Sequence, residues 1–450
     1  MNREHAYDVL PVWLQNLACS LEGWRIKRRR YGSGYSDLER VVRSQWCSAS
    51  SENLRNARLK EHLISAAQSP FWAHRFRQYS VDPAGGDPWK ELEKLPILMK
   101  GEAQEYASNI HNPMVTSPTV VCHTSGTTGA GLVFRETLTA ERERWAVWWR
   151  YRQSHGIHRD MWCGYFGGRS IVPISQSVPP FWRVNTPGRQ ILFSGYHLSP
   201  ASAEAYLDAL DEYMPPWLHG YPSLLALIAG YLLERGRPLR RPPSIVTTGA
   251  ENLLQPQRIM MERAFGCPVR QHYGQSESVA NISECENGHL HVDEDFSGVE
   301  FLPVDGSSDA YRVIGTNWTN PAFPLFRYDT GDVARMSPRS VSCRAPGRIV
   351  DAIDGRQEDY VLLPSGVRLG RLDHIFKDMV DIRESQIYQP NINTVVLRVV
   401  KRDGYNSHSE RKLLEECKKR MGEVLDVHIE YVSKLPRSRT GKLRFVVSDL

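Results

Sequence analysis

The chain has 450 residues, a formal net charge of +5, and 41% hydrophobic and 24% charged residues. That length exceeds what one ordinary hydrophobic core organises and predicts two or three units, and the composition excludes a disordered chain. Eight cysteines without a Cys-x-x-Cys pair exclude a disulfide scaffold and predict a reducing, cytoplasmic compartment.

The first residues, Met1-Asn2-Arg3-Glu4-His5, lack the basic-then-apolar pattern of an export signal. The basic run Lys27-Arg28-Arg29-Arg30 is followed by Tyr31-Gly32-Ser33-Gly34 and reads as a solvated surface turn. A nucleic-acid face needs a longer basic stripe with interleaved aromatics, so no nucleic-acid partner is expected. Leu54, Leu63, Ile64 and Ala67 fall at near-helical intervals and predict a helix over 52–68, closed by Ser69-Pro70. Further on, short apolar runs at 118–122 and 245–248 alternate with helical stretches such as 256–265, which predicts an α/β fold. The apolar stretch Leu224 to Leu233 is interrupted by Gly230 and Tyr231 and falls short of the roughly 18 residues of a membrane span. After Gly355 the pattern changes to a β-branched run at 394–400, a charged helix at 409–421 and a strand at 427–432. This β-α-β unit predicts a small second domain over 356–450, separated from 1–355 at Asp354-Gly355-Arg356.

Five short motifs carry the chemistry. Thr124-Ser125-Gly126-Thr127-Thr128-Gly129 follows a predicted strand. Its glycines let backbone N–H groups converge on phosphate oxygens while its hydroxyls add donors without bulk. It is not a Walker loop, since no Gly-Lys-Ser/Thr follows, and taken alone the hexapeptide equally suits a polar turn. Gly249-Ala250-Glu251 ends a second predicted strand, and Tyr273-Gly274-Gln275-Ser276-Glu277 places an aromatic face, a hydroxyl and a carboxylate within five residues. These are the parts of an adenine platform, a phosphate donor and a magnesium ligand. Arg327-Tyr328-Asp329-Thr330-Gly331-Asp332 offers a carboxylate after a tight turn, able to accept both hydroxyls of a ribose; a surface turn presents the same residues. Near the end, Arg437-Ser438-Arg439-Thr440-Gly441-Lys442 holds a lysine on a Gly-containing loop, which is either a swinging cation or one more solvated lysine.

In order and spacing these motifs resemble the adenylate-forming superfamily of acyl-CoA synthetases, peptide-synthetase adenylation domains and luciferases. The resemblance extends to its phenylacetate-CoA ligase and capsular-polysaccharide ligase-like branch through Ser69-Pro70-Phe71-Trp72, residues 95–100, His219-Gly220-Tyr221-Pro222-Ser223 and Gly355-Arg356-Gln357-Glu358-Asp359. It implies a large N-terminal domain of several subdomains, binding ATP and the acid, and a small α+β C-terminal lid that rotates between two half-reactions. Carried over by motif, Thr124, Ser125, Gly126, Thr127, Thr128 and Gly129 hold the pyrophosphate end of ATP. Glu251 and Tyr273 border adenine, with Gly249, Ala250 and Gly274 beside them in the nucleotide site, while Ser276 and Glu277 serve phosphate and Mg2+. Asp332 takes the ribose, Arg356 supports the nucleotide, Glu358 marks the hinge and Lys442 bridges the carboxylate and the α-phosphate.

The implied reaction joins a small carboxylic acid, aryl or arylacetic by analogy with the branch, to coenzyme A or to an amine. Tyr165, Phe166, Trp182 and Tyr221 are candidate acid-pocket aromatics, though such residues more often fill cores. A non-catalytic relative that kept only the fold is the rival reading, and the retention of Glu277, Asp332 and Lys442 together argues against it. Two departures from the superfamily pattern stand out: the phosphate loop continues Ala130-Gly131-Leu132 without a lysine, and Asp329 stands where relatives carry arginine. Cys285, His289, His291 and Cys343 resemble a segment that in some relatives binds structural Zn2+, often with a second cysteine where Ala345 stands here.

Overall fold

The computed structural model describes residues 3–47, 52–124, 131–251, 253, 255–304, 310–336, 343, 345–354, 361–369, 372–376, 379, 381–401, 404–433, 435 and 446–450. The apolar runs of the middle of the chain pair as parallel strands: Gln190–Ser194, Cys163–Gly167, Trp217–Gly220, Ile245–Gly249 and Val269–Gly274 lie side by side in that order. Helices Ala203–Tyr213, Pro222–Arg235 and Gln255–Phe265 make the crossovers that parallel neighbours require. The second of these begins on a proline and ends on Gly236, whose φ of 73° is the left-handed conformation that closes a helix without steric cost.

Beyond Val269–Gly274 the sheet continues antiparallel through Asn281–Glu284, Leu290–Val292, Ile349–Asp354, Tyr328–Met336, Ala310–Asn317 and Ser297–Pro303. With Trp182–Asn185 at the opposite edge, the described residues form a twelve-stranded mixed sheet. This is the α/β architecture expected from the sequence.

One helix dominates the interior side of this sheet. Leu138–Ser154 opens on Thr137, whose side chain accepts from the Ala140 N–H. It is anchored by Arg150, which donates to buried Asp293 and Asp295 at 2.8 and 2.6 Å. The Lys27–Arg30 run is not the solvated turn that the sequence suggested. It forms the last turn of helix Val12–Arg30, where cations suit the exposed carbonyls. There Arg29 and Arg30 both pair with Glu141, and Arg30 lies 3.9 Å from the centre of the Trp145 ring. The helix predicted over 52–68 spans Glu52–Ala66, and a new helix starts on Pro70.

Toward the C-terminus a separate four-stranded sheet orders Asp426–Tyr431, Thr394–Lys401, Ile382–Asn391 and Val446–Ser448. The predicted β-α-β unit is its core: Thr394–Lys401 and Asp426–Tyr431 run parallel, joined by helix Ser407–Met421. Asn406 and Ser409 form a reciprocal capping box at the start of that helix. No helix among the described residues is long and apolar enough to cross a membrane. The expected boundary at 355–356 lies outside the described residues.

Candidate active site

Gly249 is the register partner of His272, so Gly249-Ala250-Glu251 and Tyr273-Gly274-Gln275-Ser276-Glu277 leave the sheet side by side, at the carboxyl ends of adjacent parallel strands. Open α/β sheets bind their ligands in that crevice. Ala250 and Ser278, neither of them glycine, sit there at φ values of 68° and 58°, a conformation that concentrates at functional sites.

Asp332 comes from a strand four places away in the sheet, a distance of about 19 Å if the sheet were flat. Yet the Tyr273 hydroxyl donates to Asp332 Oδ2 at 2.8 Å. The antiparallel half therefore curls over the parallel half, and that curl assembles two motifs 59 residues apart. Gln275 Nε2 completes the triangle, donating to Asp332 Oδ2 at 2.9 Å and to the Tyr273 hydroxyl at 2.6 Å. The carboxylate is thus held in one orientation by charge-assisted bonds. Tyr273→Phe is expected to raise the KM for ATP about 10-fold, the scale of one hydrogen bond to a charged group, with an unchanged thermal midpoint. Steady-state kinetics with varied ATP checks this, and an unaltered KM would remove Tyr273 from the nucleotide site.

Glu277 is buried, and one carboxylate oxygen accepts from the Tyr328 hydroxyl at 3.3 Å. Thr124 follows strand Thr119–His123, which pairs with Val133–Thr137 as a hairpin. Thr124 N donates to Leu132 O, and Leu132 N donates to Thr124 Oγ1, closing the base of the loop. Ser125, Gly126, Thr127, Thr128 and Gly129 lie outside the described residues, as do Arg356, Glu358 and Lys442.

Sequence reasoning missed Arg144. Its guanidinium joins the hairpin to the third motif, donating to Glu136 at 2.7 Å and to Ser276 O at 3.1 Å. Asp329 is also accounted for: it accepts from Arg312 at 2.6 Å and from the Gly331 N–H at 2.9 Å, so this turn carries its own ion pair in place of the expected arginine.

A cavity of about 1190 Å³ opens from Ser276 and Arg144 between helices Val12–Arg30 and Leu138–Ser154. Trp145, Trp148, Trp149, Tyr165 and Trp217 form its walls, and Lys27, Arg30, Arg152, Arg159, Arg169 and Arg189 make it basic. Of the four aromatic candidates only Tyr165 lines it. Successive strand residues face opposite sides, so Phe166 points into the core, stacked on Phe193 with ring centres 4.5 Å apart. Trp182 packs on Phe193 and Tyr206 at the sheet edge, and Tyr221 is buried in the same apolar cluster.

At the other end of helix Leu138–Ser154, ligand atoms of Cys285, His289, His291 and Cys343 all lie within 4.8 Å of one another. The two sulfurs are 3.6 Å apart, too far for a disulfide and close to the roughly 3.8 Å edge of a tetrahedron built on Zn–S bonds of about 2.3 Å. His291 Nδ1 donates to Pro346 O at 3.1 Å, which leaves Nε2 as a buried acceptor with no partner; His289 Nδ1 is likewise buried and unpartnered. Burial opposes ionisation of Cys343, but hydrogen bonds from His289, the Ala345 N–H and Cys285 outweigh it and bring the thiol down to about 6. These residues fit a structural Zn2+, with Asn287 donating to the Cys343 sulfur from outside the ligand set.

Over residues 364–449 the chain matches the family model described as the CapK C-terminal domain. Protein CapK of Staphylococcus aureus is 27% identical to it, with 99% of each chain covered. These matches support the adenylate-forming superfamily and its CapK-like branch. Phenylacetate-coenzyme A ligase of Thermus thermophilus, 21% identical, covers 91% of this chain and 98% of its own. Among solved structures, 2-hydroxyisobutyryl-CoA ligase in complex with 2-HIB-AMP and CoA is similar in fold, with a TM-score of 0.54 at 17% identity over 94% of this chain and 91% of that one. The likeness in fold extends over nearly the whole of this CapK-like chain.

Proposed function

We propose that the chain is an AMP-forming carboxylate ligase, which activates a carboxylic acid with ATP as an acyl-adenylate and passes the acyl group to coenzyme A. The observation that carries this reading is the Tyr273–Gln275–Asp332 triangle at the carboxyl ends of the parallel strands, opening through Ser276 onto a cavity large enough for an acid. In it Asp332 accepts the ribose hydroxyls, and Glu251 and Tyr273 border adenine. Residues 124–129 wrap the phosphates, and Glu277 takes Mg2+, which offsets phosphate charge.

The acid's carboxylate oxygen bonds to the α-phosphorus and pyrophosphate leaves. Two anions meet in that step, so cations are needed; Arg144 sits beside Ser276, and Lys442 arrives on the C-terminal lid, residues 356–450, which turns about Glu358. A thiolate then attacks the acyl carbon and AMP departs. The tryptophan walls suit an acid with a flat apolar body.

Pyrophosphate release across a panel of carboxylic acids, with coenzyme A or with amines, tests the reading. Acid-dependent release is the expected result, and the arm that turns over identifies thioester or amide formation. No release with any acid, despite ATP binding, would overturn it in favour of a non-catalytic relative.

A further inference from the structure

Arg152 stands apart from the other cations of the cavity. Arg30 pairs with Glu141 and Arg159 with Glu39. Arg152 is only 8% exposed, and among the described residues its guanidinium makes no ion pair and no hydrogen bond. It lies instead over three tryptophan rings, 4.9 Å from the centre of Trp149, 5.3 Å from Trp217 and 5.5 Å from Trp145. Cation–π contact recovers part of the hydration such a group loses, but a buried charge without a counter-charge is costly.

The groups around it offer no anion. Burial raises Tyr31, Tyr151 and Cys163 and keeps them neutral. His219 and His272 are pushed down to about 3, by burial and then by the charge of Arg152 itself. Of the acids on the cavity wall, Glu22 is paired with Arg25 and Asp160 is exposed. Arginine stays protonated regardless, so no side chain among the described residues supplies the missing anion.

Position on the helix says where that anion sits. Arg144, Trp145, Trp148, Trp149 and Arg152 share one face of Leu138–Ser154. Arg144 touches Ser276 at the nucleotide end, and Arg152 lies eight residues on, about 12 Å along the axis, with tryptophan between them. Resting on the ligase reading above, the geometry points to an acid substrate with two negative ends: a carboxylate that reacts near Ser276, a flat or apolar body along the tryptophans, and a second anionic group, carboxylate or phosphate, held by Arg152.

The test compares α,ω-dicarboxylic acids with monocarboxylic acids over a series of chain lengths, together with an aryl pair with and without a distal carboxylate. Readouts are pyrophosphate release and, without ATP, the shift in thermal midpoint. Wild-type protein is expected to prefer the diacid of matching length by about 30-fold in kcat/KM, the scale of a charge-assisted hydrogen bond in a dry site, and to be stabilised by it without ATP.

Arg152→Met is expected to erase that preference and to raise the midpoint of the free protein, since it removes an unpaired buried charge. Arg152→Lys should restore part of the preference. Monoacids used as well as diacids by the wild type would overturn the assignment while leaving the ligase reading intact. So would a preference that survives Arg152→Met, or a Met variant altered only in its KM for the acceptor, which would place the anion on the acceptor. A diacid that binds without any pyrophosphate release sinks the ligase reading and keeps the anion site.

Discussion

Lys442→Ala is expected to slow acyl-adenylate formation by about two orders of magnitude or more, the loss typical of a preorganised electrostatic group, while the transfer of a chemically supplied acyl-adenylate to the acceptor changes little. The asymmetry follows from when the charge is needed. Negative charge is greatest between the carboxylate and the α-phosphate as they bond, and most of it leaves with pyrophosphate, so an ammonium there stabilises the first transition state more than the second. A lysine on a rotating lid reaches the nucleotide in only one of its orientations. Arg144, held between Glu136 and Ser276 by helix Leu138–Ser154, stays in place through both steps, so Arg144→Ala should affect both halves. Measuring the two half-reactions on one preparation of each variant separates the roles. Equal losses in both halves for Lys442→Ala, or none in the first, would show that the lid does not deliver this lysine.

How much of this was legible in the sequence depended on whether a residue's role was local. Among the described residues, motif positions could be read where backbone geometry dictates composition, as at Thr124 at the base of a hairpin and Gly249 at a strand end. The triangle of Tyr273, Gln275 and Asp332 could not, since it depends on the curl of a twelve-stranded sheet. Arg144 and Arg152 were hidden for a different reason. Helix Leu138–Ser154 buries Glu141, Glu143, Arg144, Arg150 and Arg152 as well as Trp149, so no apolar stripe separates an inner from an outer face and periodicity is silent. Strand Ile382–Asn391 was missed in the same way: Ser385, Gln386 and Gln389 are fully buried, and Gln389 bonds its amide to both the N–H and the C=O of Leu362, standing in for a strand rung. The aromatic candidates show the reverse error, in which type was read without face, and Tyr165 and Phe166 then divide between cavity and core.

Loss of metal is expected to weaken the fold more than any substitution at the nucleotide site. Cys285 and His289 flank the turn between Asn281–Glu284 and Leu290–Val292, and Cys343 lies ahead of Ile349–Asp354, the other neighbour of Leu290–Val292. A Zn2+ on these side chains therefore ties two connections at one end of the sheet, 58 residues apart in sequence. Four protein ligands leave no open position, which makes the site structural. Since the ion binds the folded chain, free zinc at about 1,000 times its Kd contributes roughly 4 kcal/mol, or about 4 °C in midpoint for a chain of this size. Purified protein is expected to carry about one zinc per chain, and chelation under mild denaturant should release it together with that stability. Cys285→Ser and Cys343→Ser should each lose the zinc and match the chelated wild type, and neither should respond further to chelator. The same sheet holds Tyr273 and Asp332, so the variants should also show a raised KM for ATP at temperatures near their lowered midpoint and wild-type values well below it. Protein that contains no zinc before chelation, or serine variants as stable as the wild type, would show that the four side chains converge without holding an ion.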